Sequence, residues 1–261
     1  MEKISKAQVK LVRSLQQKKF RDELGLFVAE GEKCVSEISK GFELEYRIQS
    51  TDCRPNQSVL CQAKPVCTLS ATRSEIEQMS GLRTPQGVIG VFRKHSVVSS
   101  QYSDLLLALD GIQDPGNLGT IIRTCDWFGV HDIVCSLNTA DCYNPKVVQA
   151  TMGALARVRV HYVDLPLWLK EYRAQSTEYR PIFGTLLDGR DMYEELKVKG
   201  ERLKEKGIIV MGNEGNGISQ EVRPFITHPI RIPSYPKDVE TSESLNVSIA
   251  TAIVLAEFRR G

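Results

Sequence analysis

The sequence predicts an α/β protein with a small amino-terminal unit and a larger unit built on a parallel sheet. Helix and strand signals alternate along most of the chain, which is the pattern of such folds. The apolar run LLLALD at 105–110 has the length and composition of a buried parallel strand. Residues 96–104 are polar and serine-rich without a helical period, which indicates a linker. The expected domains are therefore 1–95 and 105–261.

The first unit is expected to hold short helices and strands in turn. Apolar residues at helical spacing predict the helices, and Gly41 is expected to close one of them. Short runs rich in β-branched and aromatic residues predict the strands. The expected helices are 4–17, 32–40 and 74–79, and the expected strands are 26–29, 45–48, 66–69 and 87–92.

The second unit shows six strand signals separated by helical segments. The expected strands are 105–110, 132–135, 158–162, 182–185, 208–211 and 229–232, and the expected helices are 117–128, 145–155, 166–173, 219–225 and 244–259. This alternation predicts a parallel sheet with helices on both faces. Ligands of such sheets bind at the carboxyl ends of the strands.

Composition excludes several classes of protein. Apolar residues make up 41% of the chain and charged residues 25%, the balance of a globular protein with a core. No stretch approaches 18 consecutive apolar residues, and the start of the chain lacks the apolar region of a secretory signal. The seven cysteines are an odd number without a CxxC pair. We therefore expect a cytoplasmic protein with no disulfide framework and no metal site.

Charge is concentrated at the amino terminus. Residues 1–21 hold seven basic side chains and one acidic one, whereas the whole chain has a net charge of +2. Four of the basic residues recur at helical spacing: Lys3, Lys6, Lys10 and Arg13. This stripe is either a solvated helix face or a surface that contacts phosphates, and the sequence leaves both readings open.

The first of three segments with functional signals is 110–129, where a strand runs through a turn into a helix. Asn117 is expected to cap this helix. One face holds Gly116, Gly119, Thr120 and Arg123, and its small residues leave room for a ligand to approach the backbone. The alternative is a tightly packed helix with a surface arginine.

The second segment is 207–219, an apolar strand that runs into a glycine-rich turn. Glu214 stands between Gly212, Gly215 and Gly217. Glycines at a strand end allow close approach of a ligand, and a carboxylate among them favours a ligand site over a simple turn.

The third segment is 231–260, a proline-rich loop followed by an apolar and therefore buried helix. Ser244 is expected to cap this helix. Asn246 falls in its first turn, where we expect no structural purpose for it. Ser244 and Asn246 are expected at the positive amino-terminal end of the helix, beside free backbone donors.

Together the three segments resemble the motifs of the SpoU-type (TrmH) family of RNA 2′-O-ribose methyltransferases, in the SPOUT superfamily. The matching residues are Asn117 through Arg123, then Gly212-x-Glu214-x-x-Gly217, then Ser244-Leu245-Asn246-Val247-Ser248. Residues 18–38 and 84–92 are similar to the RNA substrate-binding domain that often precedes these catalytic domains. The loop between Pro233 and Ser244 looks about four residues longer than the usual family spacing, so contacts with substrate or cofactor are expected to differ there.

The resemblance implies a SPOUT-type parallel-sheet domain with a carboxy-terminal trefoil knot, preceded by a smaller ribosomal-protein-like α/β domain. It implies S-adenosylmethionine as methyl donor, a ribose 2′-hydroxyl of rRNA or tRNA as acceptor, and a homodimer that shares its active sites. The implied catalytic residues are Asn117, Arg123, Glu214, Ser244 and Asn246. The implied cofactor-binding residues are Gly184, Thr185, Leu186, Met211, Gly212, Ile232 and Leu245.

The resemblance also implies that Arg123 removes the proton of the 2′-hydroxyl. A guanidinium group has a pKa above about 12, which makes that role costly. Our hypothesis is that Arg123 binds the adjacent phosphate and stabilises the developing oxyanion. Glu214 is expected to fix the loop of the second motif, either by pairing with Arg123 or by accepting from backbone donors.

Two other classes of function compete with this one: an RNA-binding protein of the same fold without catalysis, and a nucleotide-binding protein without an RNA partner. The joint presence of Asn117, Arg123, Glu214 and Asn246 favours the enzyme. The accessible target is expected to lie in an RNA loop or bulge.

Overall fold

The computed structural model describes residues 2–52, 67–95, 102–175, 180–199, 206–236 and 244–260. The chain forms two compact units, one of Met1–Val97 with Asp141–Arg157 and one of Val98–Ala140 with Val158–Gly261. Residues 96–101 of the expected linker lie outside the described residues. The assignment of 141–157 to the first unit was not foreseen from the sequence.

The elements up to residue 93 are β1 (Glu2–Lys3), α1 (Lys6–Ser14), α2 (Lys18–Leu24), β2 (Leu26–Glu30), α3 (Glu32–Ile38), β3 (Leu44–Ser50), β4 (Cys67–Ala71), α4 (Arg73–Met79) and β5 (Val88–Arg93). The later ones are β6 (Leu105–Asp110), α5 (Pro115–Trp127), β7 (Asp132–Ser136), α6 (Pro145–Thr151), β8 (Arg159–Val163), α7 (Leu165–Gln175), β9 (Ile182–Asp191), α8 (Met192–Lys199), β10 (Gly207–Gly212), β11 (His228–Arg231) and α9 (Val247–Phe258). Short 3₁₀ turns span Ala154–Ala156 and Arg223–Phe225.

The first unit is a mixed sheet in the order β1-β4-β3-β5-β2 with helices packed on it. Segment 141–157 joins this unit through a buried ion pair. The Arg21 guanidinium is 1% exposed and donates to Asp141 and to the Leu15 and Gln16 carbonyls. A Cβ at Gly41 would lie 2.3 Å from the Ala156 carbonyl oxygen, so the backbones touch there. Such contacts between distant segments leave no periodic trace in the sequence.

The second unit is a six-stranded sheet in the order β11-β9-β10-β6-β7-β8, with every described pair parallel. All six residues of β6 are buried at its centre, as LLLALD predicted. β6 and β10 pair along their whole length and end together at Asp110 and Gly212. The predicted α/β class with a parallel sheet is confirmed, and the trefoil knot stays a prediction. Across the described residues, none of the helices is long and apolar enough to cross a lipid bilayer.

Several element predictions were wrong. An α-helix does not form over 219–225, where only the 3₁₀ turn Arg223–Phe225 appears, because Pro224 lacks the backbone N–H that a longer helix would use. Helices α2 and α8 were missed. β9 extends to Asp191, beyond the predicted 182–185. After a shift in register, it pairs with β11 again at Arg190 and Asp191.

The buried carboxylate of Asp132, at the start of β7, offers a test of what stabilises the second unit. Its fully buried carboxylate accepts hydrogen bonds from Arg159, from the Ser103 backbone N–H and from the ring of His161. Burial by itself would raise the pKa of Asp132, but these bonds outweigh burial and hold that pKa well below its usual value of 3.8. The carboxylate therefore stabilises the fold above that value, and this contribution declines as the pH falls below it.

We expect Asp132→Asn to lower the free energy of unfolding at neutral pH by about 2 kcal/mol, measured by urea titration. The difference from the wild type should shrink steadily as the pH falls below 3.8. A difference that is constant between pH 7 and strongly acidic solution would contradict this reading of the carboxylate.

Candidate active site

The predicted site residues lie at one edge of the second unit's sheet. The strands β11, β9, β10 and β6 are neighbours and parallel, so their carboxyl ends face the same way. The first motif follows β6, and the second follows β10. Thr185 and Leu186 lie within β9, and Ile232 directly follows β11. Sequence segments more than a hundred residues apart therefore meet at this edge.

Asn117 does not cap α5, contrary to the sequence prediction. Asp114 is the cap, and its Oδ1 accepts from the Asn117 backbone N–H at 2.8 Å. Pro115 then takes the first helical position, where its missing N–H costs nothing. The Asn117 side chain is consequently left for other partners. Its Nδ2 donates to Glu214 Oε1 at 2.5 Å.

Asn246, not Ser244, caps α9. The Asn246 Oδ1 accepts from the Ser248 backbone N–H at 3.0 Å, from the Ser248 hydroxyl at 2.6 Å and from the Ile249 N–H at 3.4 Å. The expectation that Asn246 has no structural purpose was therefore wrong, because α9 begins three residues later than predicted. Ser244 lies exposed two residues before this cap.

The side chains of Asn246, Asn117 and Glu214 form a directional series of hydrogen bonds, here named the amide chain. Asn246 Nδ2 donates to Asn117 Oδ1 at 3.0 Å, and Asn117 Nδ2 donates to Glu214. The positive amino-terminal end of α9 supplies the first donors, and a carboxylate accepts the last bond. The bonds polarise one another in the same sense, which strengthens each of them. One residue from each motif thus enters a single network.

The glycine-rich turn after β10 presents Glu214. Asn213 and Gly217 exchange two backbone hydrogen bonds of 2.9 Å, which closes the turn. A Cβ at Gly212 would lie 2.2 Å from the Gly217 carbonyl carbon, so this turn requires glycine at 212. The sequence suggested that Glu214 pairs with Arg123 or with backbone donors. The carboxylate instead accepts from the Asn117 amide.

Arg123 is exposed on α5, one turn beyond Thr120. Among the residues that the structure describes, its guanidinium has no hydrogen-bond or ion-pair partner. Gly116 and Thr120 on the same face are also exposed, and Gly119 is buried. The exposed guanidinium offers five N–H donors, which suit a phosphate or an oxyanion.

Two of the predicted cofactor residues touch across neighbouring strands. The Thr185 hydroxyl lies 3.3 Å from the Val210 carbonyl oxygen and 3.7 Å from the Met211 sulfur. Between Gly184 and Arg190, β9 leaves its ladder with β11. Backbone groups over 185–189 are thereby released from that ladder and can meet a ligand at this edge.

The glycine at 184 has a packing explanation. A Cβ there would lie 2.8 Å from three carbons of the Ile226 side chain. Packing therefore explains the glycine at 184 and the glycine at 212, whether or not either residue contacts a cofactor.

Apolar side chains near these strand ends supply a surface for a flat ring. Leu245 is 47% exposed, while Leu186 and Ile232 are half-buried. Aliphatic surface together with released backbone groups fits the adenine and ribose of S-adenosylmethionine. Residues 237–243 of the unusually long loop lie outside the described residues.

Sequence reasoning missed Asp110 and Asn213. The Asp110 carboxylate accepts from the Ser219 N–H at 2.7 Å, and Asn213 Nδ2 donates to the Gly111 carbonyl at 2.7 Å. The available signal was an asparagine that starts a glycine-rich turn, because such side chains bond the backbone two or three residues onward.

Comparison with known proteins identifies the family of the chain. Residues 104–256 match the SpoU rRNA Methylase family, and residues 6–90 match the MRM3-like substrate binding domain. Among curated proteins, the chain is 29% identical over 264 aligned positions to the 23S rRNA (guanosine(2553)-2′-O)-methyltransferase RlmP of Bacillus subtilis, covering 99% of this chain and 98% of that one.

Solved structures agree as well. A Porphyromonas gingivalis protein assigned to the TrmH family of RNA methyltransferases is 36% identical, with a TM-score of 0.84 over 98% of each chain. An AdoMet-bound rRNA methyltransferase from Sinorhizobium meliloti is 29% identical, with a TM-score of 0.81 over 99% of this chain and 96% of that one. The chain therefore belongs to the SpoU rRNA methylase family, as its three motifs predicted.

Proposed function

We propose that this enzyme transfers the methyl group of S-adenosylmethionine to a ribose 2′-hydroxyl of ribosomal RNA. The amide chain is the observation that carries the proposal, because it joins one residue of each of the three motifs at one edge of the sheet. Family membership and the rRNA-modifying relative from Bacillus subtilis support ribosomal RNA as the acceptor. The reaction is placed in the cytoplasm, since the odd number of cysteines suits a reducing compartment.

Bound S-adenosylmethionine supplies an electrophilic methyl group on a sulfonium. The released backbone over 185–189, with Met211, Ile232 and Leu245, holds this donor at the strand ends. A ribose hydroxyl is a weak nucleophile, so its proton must leave as its oxygen attacks the methyl carbon. The enzyme therefore has to stabilise negative charge on the 2′-oxygen.

Arg123 performs that task in the proposal. Its exposed guanidinium donates to the phosphate next to the target ribose and to the developing oxyanion, and it keeps its own proton. Because the guanidinium is exposed, water can take the proton of the hydroxyl.

Asn117 and Asn246 position the ribose. Asn117 uses one donor and one acceptor direction in the amide chain, and Asn246, whose oxygen accepts three bonds, keeps one amide hydrogen, so each has capacity left for a sugar hydroxyl. Glu214 fixes the orientation of the Asn117 amide, and the exposed Ser244 hydroxyl contacts ribose or phosphate. Removal of any member of the chain is expected to affect catalysis more than donor binding.

The direct test mixes the purified enzyme with tritium-labelled donor and total RNA from cells that lack the protein. We expect label in ribosomal RNA at one nucleotide, in a ribose that resists alkaline cleavage on its 3′ side. RNA from cells that contain the protein should accept little label. Label in transfer RNA alone, or RNA binding without label, would contradict the proposal.

A homodimer formed by α5 and α9 is part of the proposal. The two helices run parallel, joined at their amino ends by Asn117 and Asn246 and at their other ends by Arg259, which donates to the Phe128 and Gly129 carbonyls. α9 is apolar on most of its circumference, a property of helices that are covered on most sides. Yet Ile249 is 55% exposed, and Trp127 of α5 is 84% exposed. A second copy of the chain would cover both residues.

We expect Trp127→Lys to raise the dimer dissociation constant at least about 30-fold, because buried tryptophans dominate interface energies. Analytical ultracentrifugation over a concentration series measures this constant. Leu167→Lys is the matched control, since Leu167 is 53% exposed on α7. A Trp127→Lys protein that dimerises like the wild type would refute this interface.

A further inference from the structure

The Asn213 side chain connects two loops of the site without being one of its motif residues. Its Nδ2 donates to the Gly111 carbonyl at 2.7 Å, in the loop that leads from β6 to α5. Its Oδ1 accepts from the Gly215 N–H at 2.8 Å and from the Asn216 N–H at 3.2 Å, in the turn after β10. One side chain therefore bonds both the loop that precedes Asn117 and the turn that carries Glu214.

Gly111 is itself held in place by a hydrogen bond. Gly111 has a φ of +74°, and its N–H donates to the Ser136 hydroxyl at 2.8 Å, at the end of β7. Asn213 thus anchors the turn to the ends of β6 and β7. On the far side of the turn, the Ser219 N–H bonds Asp110 at the end of β6.

The turn needs such an anchor because its tip is exposed and rich in glycine. Residues 214–217 are all exposed, and two of the four are glycines, which retain wide conformational freedom without a constraint. Glu214 makes its bond to Asn117 from this tip. Freedom of the tip would translate directly into loss of that bond.

We propose that Asn213 is a positioning residue for methyl transfer: it holds Glu214 against the Asn117 amide by bridging the two loops that carry them. The expected loss of kcat rests on the proposed function. The expected loss of the bond between Asn117 and Glu214 rests on the geometry alone. In this role Asn213 acts through Glu214 and not through a bond of its own to RNA or donor.

The variant Asn213→Asp tests the bridge. An aspartate keeps the acceptor for the Gly215 and Asn216 N–H groups but places an oxygen against the Gly111 carbonyl, so the bridge is lost and the turn's internal bonds remain. Asn216→Asp is the matched control, because it introduces the same charge on the exposed tip. We expect kcat to fall about 30-fold in Asn213→Asp, with the KM for RNA, the Kd for donor and the Tm close to wild type. Asn216→Asp should keep the wild-type kcat.

A second measurement does not depend on catalysis. The Nδ2 protons of Asn117, observed by nitrogen-15 NMR, report the bond to the Glu214 carboxylate, and Glu214→Ala, which has no acceptor, gives the reference for its loss. Asn213→Asp should shift this resonance toward that reference, and Asn216→Asp should not. An unshifted resonance overturns the inference, as does a normal kcat or a loss explained by a lower Tm or weaker donor binding. A wild type that transfers no methyl group would refute the proposed function while the resonance still decides the positioning role.

Discussion

Arg123→Ala is expected to transfer methyl groups about 1,000-fold more slowly than the wild type, with unchanged affinity for S-adenosylmethionine. The guanidinium is exposed and has no partner among the described residues, so its removal leaves the fold and the donor site intact. Single-turnover kinetics measure the first effect and calorimetry the second. Arg173→Ala is the control, since Arg173 is an exposed arginine in the last turn of α7. Loss of donor binding in Arg123→Ala would contradict this division of labour.

Arg123→Lys distinguishes two possible roles of Arg123, that of a charge stabiliser and that of a proton acceptor. A lysine can also stabilise an oxyanion, but it titrates at about pH 10.4, below the range of arginine. If Arg123 only stabilises charge, the rate of Arg123→Lys should fall at high pH as the ammonium loses its proton. A basic limb in which the rate rises with deprotonation of the new side chain would identify residue 123 as the base.

Asn117→Asp is expected to lower kcat about 100-fold, because it replaces the donor to Glu214 by a second carboxylate. The same change leaves an acceptor for Asn246 Nδ2, so it breaks the amide chain at one bond only. Methyl-transfer rates at saturating RNA measure the loss. Donor binding should survive, since the side chain at position 117 does not belong to the loops assigned to the cofactor.

A double variant shows whether the broken bond is the cause. When Asn117→Asp is combined with Glu214→Gln, the new amide at position 214 can donate to the new carboxylate at position 117, which restores the bond with reversed direction. We expect the double variant to recover at least about tenfold over Asn117→Asp, a coupling typical of contacting polar residues. A double variant whose loss of rate equals the combined losses of the two single variants would show that Asn117 and Glu214 act separately.

The sequence predicted which segments meet, because that follows from strand polarity. LLLALD predicted the central strand, and motifs that follow parallel strands must share one edge. The partners within the site were not predictable. Asn117 bonds residues 97 and 129 positions away, and no local pattern encodes such pairs. The cap of α5 was predicted wrongly for a simpler reason. Asp114 and Asn117 are both good caps, and Pro115, which favours the first helical position, is the residue that distinguishes them.

The fold shows the same division between local and long-range information. Every described strand except β1, and most helices, were predicted from periodicity and residue type. The attachment of 141–157 to the first unit was not, because it depends on Arg21 and Asp141, which lie 120 positions apart. Capping by Asn246 required the true start of α9, which a helix that is apolar on most of its circumference does not mark.

The central claim is that three separated motifs build one site that presents a methyl donor to a ribose. A crystal structure of the enzyme with bound S-adenosylhomocysteine, the demethylated product, tests it most directly. We expect the adenosine against residues 185–189, Ile232 and Leu245, with the sulfur directed toward Asn117 and Arg123. A ligand bound away from the carboxyl ends of β9, β10 and β11 would contradict the claim.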